Sequence, residues 1–384
     1  MSIYLDYNAS APVDPRVLSV MVDVYQNHFG NADSRTHDFG EDVRSITETA
    51  RKQVADLLGV KKDEVFFTSG ATESNNISIL GLRQFGEAEN RKHIITSSIE
   101  HKAVLGAAKF LSENGFEVEY VDPDESGRVD PERVIFMIRP DTLLVSLMHV
   151  NNETGIIQPA KELGDYLSKT GTLFHIDATQ SCGKLVEEIR DLHYDLMSIS
   201  AHKMHGPQGI GALIMRKKRY RLPPVKPITF GGGQEHGIRP GTLPTALIAG
   251  FGEACAIAEK KATQNNANCL EIKKQLLDLL EKSGIKHEVN GNQDYCVPTT
   301  LNVSFLGVSS EALMLASKQY CSVSNGSACT SRSYSHSHVL SAMHLPDEQI
   351  ESAIRISWGG DVDQRTIYKA FGNMLHMVKM LQQI

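Results

Sequence analysis

The chain has 384 residues, 41% of them apolar and 22% charged, which suits a globular enzyme with one large α/β domain and a smaller partner. A net charge of -7 argues against a strong intrinsic hold on nucleic acid, and no apolar run approaches the roughly eighteen residues that cross a membrane. The start, MSIYLDYNASAP, has neither the basic nor the apolar region of a signal peptide. The six cysteines (182, 255, 269, 296, 321 and 329) show no CxxC spacing, so a reduced, cytoplasmic setting is expected.

From about residue 60 to 215, short β-rich runs alternate with helical stretches. The predicted strands are EVFFTS, HIITSS, EVEYVD, TLLVSLMHV, TLFHIDA, DLMSIS and GALIMR. Between them, HKAVLGAAKFLSENG and PAKELGDYLSKTG carry helical apolar spacing and each ends at a glycine. This alternation predicts βαβ units and a mostly parallel sheet with helices on both faces, with ligand chemistry on the loops after the strands' carboxyl ends. A turn-rich segment, LPPVKPITFGGGQEHGIRPGTLP, precedes a helix predicted over TALIAGFGEACAIAEKKATQ. The rest reads as a smaller α+β domain. The expected division is a large domain over 15–245 and a small one from 1–14 plus 246–384.

Several strings at those strand ends carry candidate chemistry. FTSGATESNN (67–76) is strand, glycine turn and helix start, which leaves backbone N–H groups for a phosphate; a plain helix cap requires the same residues. It is neither a Walker loop nor GxGxxG, which counts against ATP and dinucleotides. His101 in SSIEHKAV sits at a strand-to-helix turn, suited to stacking on a ring or moving protons, and Asn152 in HVNNETG follows the next strand; either is also an ordinary loop residue. Asp177 in HIDATQSCG is a helix cap or a functional carboxylate. Lys203 in SISAHKMHGPQGIGAL is a solvated loop lysine or, at the end of a central strand, a partly desolvated amine able to form a Schiff base.

Asp177 and Lys203 lie one strand–helix–strand step apart, and pyridoxal phosphate needs such a pair: an amine for its aldehyde and a carboxylate for its pyridine nitrogen. Arg355, inside the apolar string SAIRISWGG, is a solvent-facing strand arginine or a clamp for a substrate carboxylate. Cys329 stands in SVSNGSACTSRSYSHSH (322–338), a small-polar stretch unlike the apolar setting of a core thiol.

Taken together, YLDYNASAPVDP, FTSGATESNN, EHKAVL, MHVNNETG, DATQS, SISAHKMHGPQGIGAL, RPGTLP and NGSACTS resemble the signatures of pyridoxal-phosphate-dependent cysteine desulfurases of the IscS/NifS class. The likeness runs over nearly the whole chain. It implies a fold-type I, aspartate-aminotransferase-like architecture and a homodimer. Lys203 is then the lysine that binds the cofactor aldehyde, Asp177 the pyridinium partner and His101 the ring-stacking proton carrier. Ala71, Thr72, Ser200 and His202 hold the phosphate, and Thr242 reaches it from the other subunit. Asn152 and Gln180 lie near the ring hydroxyl, and Arg355, with Asn152, takes the carboxylate of L-cysteine. Cys329 is the catalytic thiol: it accepts the substrate sulfur as a persulfide and passes it to an acceptor protein, and a loop with Gly326 and serines is expected to let it swing.

The departures concern the branch. Ser335 to Ser337 stand where housekeeping members have Glu-Pro-Ser, Ala201 replaces a glycine before His-Lys, and Ala32 replaces a proline. MVKMLQQI closes the chain without the tail that docks an iron–sulfur scaffold. FGNADSRTH, FGGGQEHGIRPGTLP and RISWGG look more like desulfurases that supply sulfur for DNA phosphorothioate modification, of the DndA and SspA type. The competing readings are an iron–sulfur or nitrogenase-type sulfur donor, a plain aminotransferase or lyase on the same fold, and a metal module built on Cys329, His336 and His338.

Overall fold

A computed structural model describes residues 2–325 and 336–383. Strand β1 (Ile3–Tyr4) pairs in parallel with β11 (Cys321–Ser322), which joins the N-terminal segment to the C-terminal part of the chain. The centre is a seven-stranded sheet of β2 (Val65–Thr68), β3 (His93–Ser97), β4 (Glu117–Val121), β5 (Thr142–Met148), β6 (Leu173–Asp177), β7 (Leu196–Ser200) and β8 (Gly211–Met215), in the order β2-β8-β7-β6-β5-β3-β4. All seven strands coincide with the runs expected from the sequence.

The sheet is mostly parallel; only β8 runs against its neighbours β2 and β7. The reason is the short 201–210 connection, which turns through a 3-10 segment at Ala201–Lys203. A parallel return needs a crossover of a dozen or more residues, and this connection cannot supply one.

Strand alternation builds a core on each face. Val65, Phe67, Val145, Ile176 and Ile199 enter one apolar cluster, while Phe66, Leu144, Leu196 and Leu213 enter another. Strands buried on both faces explain the continuous apolar runs in the sequence. A third cluster belongs to the antiparallel sheet of β9 (Glu288–Val289), β10 (Thr300–Ser304) and β12 (Ala353–Ser357), backed by the helix Gln364–Leu381.

One helix, Thr245–Lys282, serves both regions. It runs 38 residues, far past the predicted end, or about 57 Å at 1.5 Å per residue. Ile248, Phe251, Cys255, Ala258 and Ala262 pack into the large core, and Cys269, Ile272, Leu276 and Leu280 into the small one. The polar run between the two stripes disguises their common helical phase in the sequence. Among the described residues no helix is long and apolar enough to cross a membrane.

Candidate active site

The carboxyl ends of β2, β3, β5, β6 and β7 open on one cavity of about 510 Å³. Ala71, Thr72, His101, Asn152, Asp177, Gln180, Ser200, His202, Lys203 and Arg355 all line it. Residues scattered over 285 positions of sequence (71 to 355) therefore meet at one rim. Thr242 is exposed and outside this lining, in a chain described without a partner. Cys329, Gly326 and Ser335 lie outside the described residues.

Each side chain is held by its element. Lys203 ends the 3-10 turn after β7, and its Nζ donates to the carbonyls of Asn8 (2.6 Å) and Ala9 (2.7 Å). Asp177, the last residue of β6, is buried; its Oδ2 accepts from Asn75 Nδ2 (2.7 Å) and its Oδ1 from the Thr179 amide (3.0 Å). With both oxygens engaged, the carboxylate has a fixed direction.

His101 caps the helix Lys102–Ser112: its Nδ1 accepts from the Ala103 amide at 3.1 Å. An accepting Nδ1 puts the proton of the neutral ring on Nε2. Burial lowers the pKa of His101, opposed by the Asp177 carboxylate and aided by Lys203. Burial and the charge of Lys203 likewise hold His202 down at about 4, so this imidazole is neutral at neutral pH and can donate one N–H.

The helix Ala71–Leu80 begins at Gly70, and no side chain caps it. Its first-turn N–H groups therefore face the cavity mouth as an anion cradle. Gly70 has φ +149° and ψ -179°, open in practice only to glycine, and a Cβ there would project toward Ser200 Oγ at 3.7 Å. Uncapped N–H groups, a hydroxyl and a neutral imidazole around a space kept clear by glycine fit a phosphate. A carboxylate and a lysine further in fit a pyridine ring with an aldehyde.

Arg355 comes from the other sheet and is 4% exposed. Its two terminal nitrogens donate to Asp6 Oδ1 (2.6 Å) and to the Asn152 carbonyl (2.9 Å), and its Nε has no partner among the described residues. Its backbone pairs with Ser324 through N–H···O bonds of 2.6 and 3.1 Å. His338 Nε2 lies 3.0 Å from the Glu100 carbonyl, and His336 faces Glu351 at 3.3 Å.

This arrangement has known relatives. Residues 3–368 match the aminotransferase class-V family. A cysteine desulfurase IscS from Pseudomonas putida (strain GB-1) is 45% identical over 391 residues, covering 100% of this chain and 94% of the relative. The chain belongs to the aminotransferase class-V family, among its cysteine desulfurases. Two solved structures agree with that membership. A NifS-like protein superposes with a TM-score of 0.90 at 35% identity, covering 99% of this chain and 100% of its own. DndA from Streptomyces lividans superposes with a TM-score of 0.81 at 44% identity, covering 93% and 99%. Enzymes of this family depend on pyridoxal 5'-phosphate, and the cradle, carboxylate and lysine described above suit it.

Four residues of this site escaped the sequence reading. Asn75 orients Asp177 from 102 positions away, and Asn8, in the YLDYNASAP string, offers the carbonyl that receives Lys203. Lys184 bonds Gln180 Oε1 at 3.2 Å. Glu100 is fully buried, with Oε1 accepting from Ser97 Oγ (2.7 Å) and the Met148 amide (2.8 Å); burial raises its pKa to about 8. A buried acid beside a predicted catalytic histidine is a signal the string SSIEHKAV already contained. The Asn75 and Asn8 partnerships are long-range and leave no local pattern, whereas Lys184 lies four residues from Gln180.

Proposed function

We propose that the enzyme converts L-cysteine to L-alanine and carries the released sulfur as a persulfide on Cys329 to an acceptor protein. The observation that carries this reading is the single cavity that unites Lys203, Asp177, His101 and Arg355 at the strand ends. When bound there, the cofactor supplies an electron sink. Lys203 would hold it, and its amine, when free, would take the proton from the substrate Cα. Asp177 would hold the pyridine nitrogen, and His101 would lie against the ring and return protons through Nε2. Ala71, Thr72, Ser200 and His202 receive the phosphate, Gln180 and Asn152 the ring hydroxyl, and Arg355 with Asn152 the substrate carboxylate.

The Cys329 thiolate attacks the substrate Sγ. A sulfur–sulfur bond forms and the carbon–sulfur bond breaks. The electron pair stays with the carbon skeleton, which takes up a proton and leaves as alanine. Thr242 completes the phosphate site from the second subunit of a homodimer, in keeping with its exposure in the single chain. The proposed domains are 15–245 and 1–14 with 246–384, and the separate apolar cores support two units. The setting is cytoplasmic.

For the branch, we favour sulfur supply to DNA phosphorothioate modification. The departures at Ala32, Ala201 and Ser335–Ser337 and the 44% identity to DndA support it. Iron–sulfur cluster supply is the second reading, favoured by the IscS relatives at 45% identity. Cys329→Ala tests the chemistry. It should abolish sulfide release from L-cysteine and leave the yellow absorbance of the cofactor-bound protein intact. Sulfide production by the variant would overturn the persulfide route in favour of a lyase.

A further inference from the structure

Behind Lys203 lies a second cavity of about 420 Å³, bounded by the N-terminal segment, the helix Thr245–Lys282 and the loop after β12. Lys203 and Lys184 both line it, so Lys203 stands in the wall between this space and the cofactor cavity. Lys184 is partly buried, and among the described residues no carboxylate lies within ion-pair distance of its amine. Its backbone carbonyl is held by Asn266 Nδ2 at 2.6 Å, which fixes the stem against the long helix.

The amine donates to Gln180 Oε1 at 3.2 Å. The other end of that amide, Nε2, donates to the Asn8 carbonyl at 2.9 Å, and the same carbonyl receives Lys203 Nζ at 2.6 Å. An ammonium can only donate and a backbone carbonyl can only accept. The Gln180 amide therefore has one permitted orientation, with its nitrogen toward Asn8 and the cofactor cavity. Lys184 supplies the donor for the oxygen end; without it the amide is held at its nitrogen end alone, by the Asn8 carbonyl.

Resting on the pyridoxal-phosphate reading above, we infer that Lys184 is a positioning residue: it anchors the oxygen end of the Gln180 amide and adds a cation to the electrostatic setting of Lys203. The groups that face it are the cations Lys203 and Arg355 and the Cys269 thiol, with Tyr7, His205 and Asp361 on the same cavity wall. Burial and the two cations pull the Lys184 pKa down to about 8. Burial pushes Cys269 up to about 12, so that thiol is neutral and leaves the amine's charge uncompensated. A cation without a counter-anion disfavours a second positive charge nearby, and the nitrogen of Lys203 is where that charge would form.

The test uses the intact, cofactor-loaded enzyme and reads the pH titration of its visible absorbance together with its affinity for pyridoxal phosphate. Lys184→Met should raise the titration midpoint by about 0.5–1 pH unit, as expected for removal of one nearby cation, and weaken cofactor binding by about 5–10-fold. Lys184→Arg, which keeps the charge and donor, should restore the midpoint to near wild type; a purely structural stem would not distinguish the two variants this way. If Lys184→Met does not fold, Lys184→Gln carries the same expectation for the midpoint. An unshifted midpoint in a folded Met or Gln variant, with a normal wild-type spectrum, overturns this inference alone. A wild-type protein that acquires no visible absorbance with pyridoxal phosphate overturns the cofactor reading and this inference with it.

Discussion

The turns at 69–72 and 231–244 both contain glycine and both belong to the proposed phosphate site, yet different forces hold them. The first follows from regular structure. β2 ends, Gly70 turns, and the helix Ala71–Leu80 starts with its N–H groups uncapped. The second is irregular, with Glu235 (φ 46°) and His236 (φ 55°) both in the left-handed region, where a side chain costs about 1–2 kcal/mol each.

What holds that strained turn is a buried ion pair. Glu235 accepts from Arg51 at 2.7 and 2.8 Å and from the Phe67 amide at 2.7 Å, while Arg51 also donates to the Val65 carbonyl at 2.8 Å. Val65 and Phe67 belong to β2, an edge strand whose outward backbone groups have no neighbouring strand. The pair thus seals the sheet edge and fixes the turn that carries Thr242 with the same four bonds. Arg239 adds a tether to Glu73, at the start of the phosphate helix (3.1 Å). One turn is positioned by its own backbone and by side chains within a few residues, the other by side chains from far away.

That contrast predicts different sensitivities. Arg51→Ala should have the largest effect, about 3–5 kcal/mol of stability by denaturant unfolding, because it strands the buried Glu235 carboxylate. A loss below about 1 kcal/mol would mean that the second turn holds itself and would break the comparison. Glu100→Gln comes next, and it probes the regular rim, where this acid joins the ends of β3 and β5. The folded pKa of Glu100, about 8, lies above the usual carboxylate value, so the native state keeps a proton that the unfolded chain loses from about pH 4.5 upward. Its contribution to stability is complete below that pH and falls away as pH rises to about 8. Glu100→Gln should flatten this part of the stability profile, read as the urea midpoint against pH, and an unchanged slope would assign the decline to other groups. The smallest effect on stability is expected for Gly70→Ala, about 1–3 kcal/mol from the backbone strain at φ +149°. Its sharper signature is weaker cofactor binding by titration, since the added Cβ enters the cradle; unaltered affinity would move the phosphate elsewhere.

Most strands of the large sheet were legible because both-face burial favours apolar residues along them, while the edge strand β4 was legible from the alternation in EVEYV; the turn strings at their ends follow directly. Position alone placed His101, Asp177 and Lys203 at the strand ends, with a loop or capping role still open for each; the resemblance gave them their expected roles. The length of the helix Thr245–Lys282 was not legible, since its two apolar stripes answer to two different cores. The reversed β8 was equally hidden, because strand direction depends on what the connection can span.

Local sequence determined which residue types stand at the strand ends: a glycine before an uncapped helix, a histidine cap, a carboxylate at a strand terminus and a lysine in a tight turn. Those are properties of a few consecutive residues and their backbone preferences. Tertiary structure alone decided which way each group points. Asn75 aims Asp177, the Asn8 carbonyl receives Lys203, and Arg51 holds the turn of Thr242 through Glu235. Hydrogen bonds between residues a hundred or more positions apart depend on chain closure, and chain closure leaves no mark on the residues nearby.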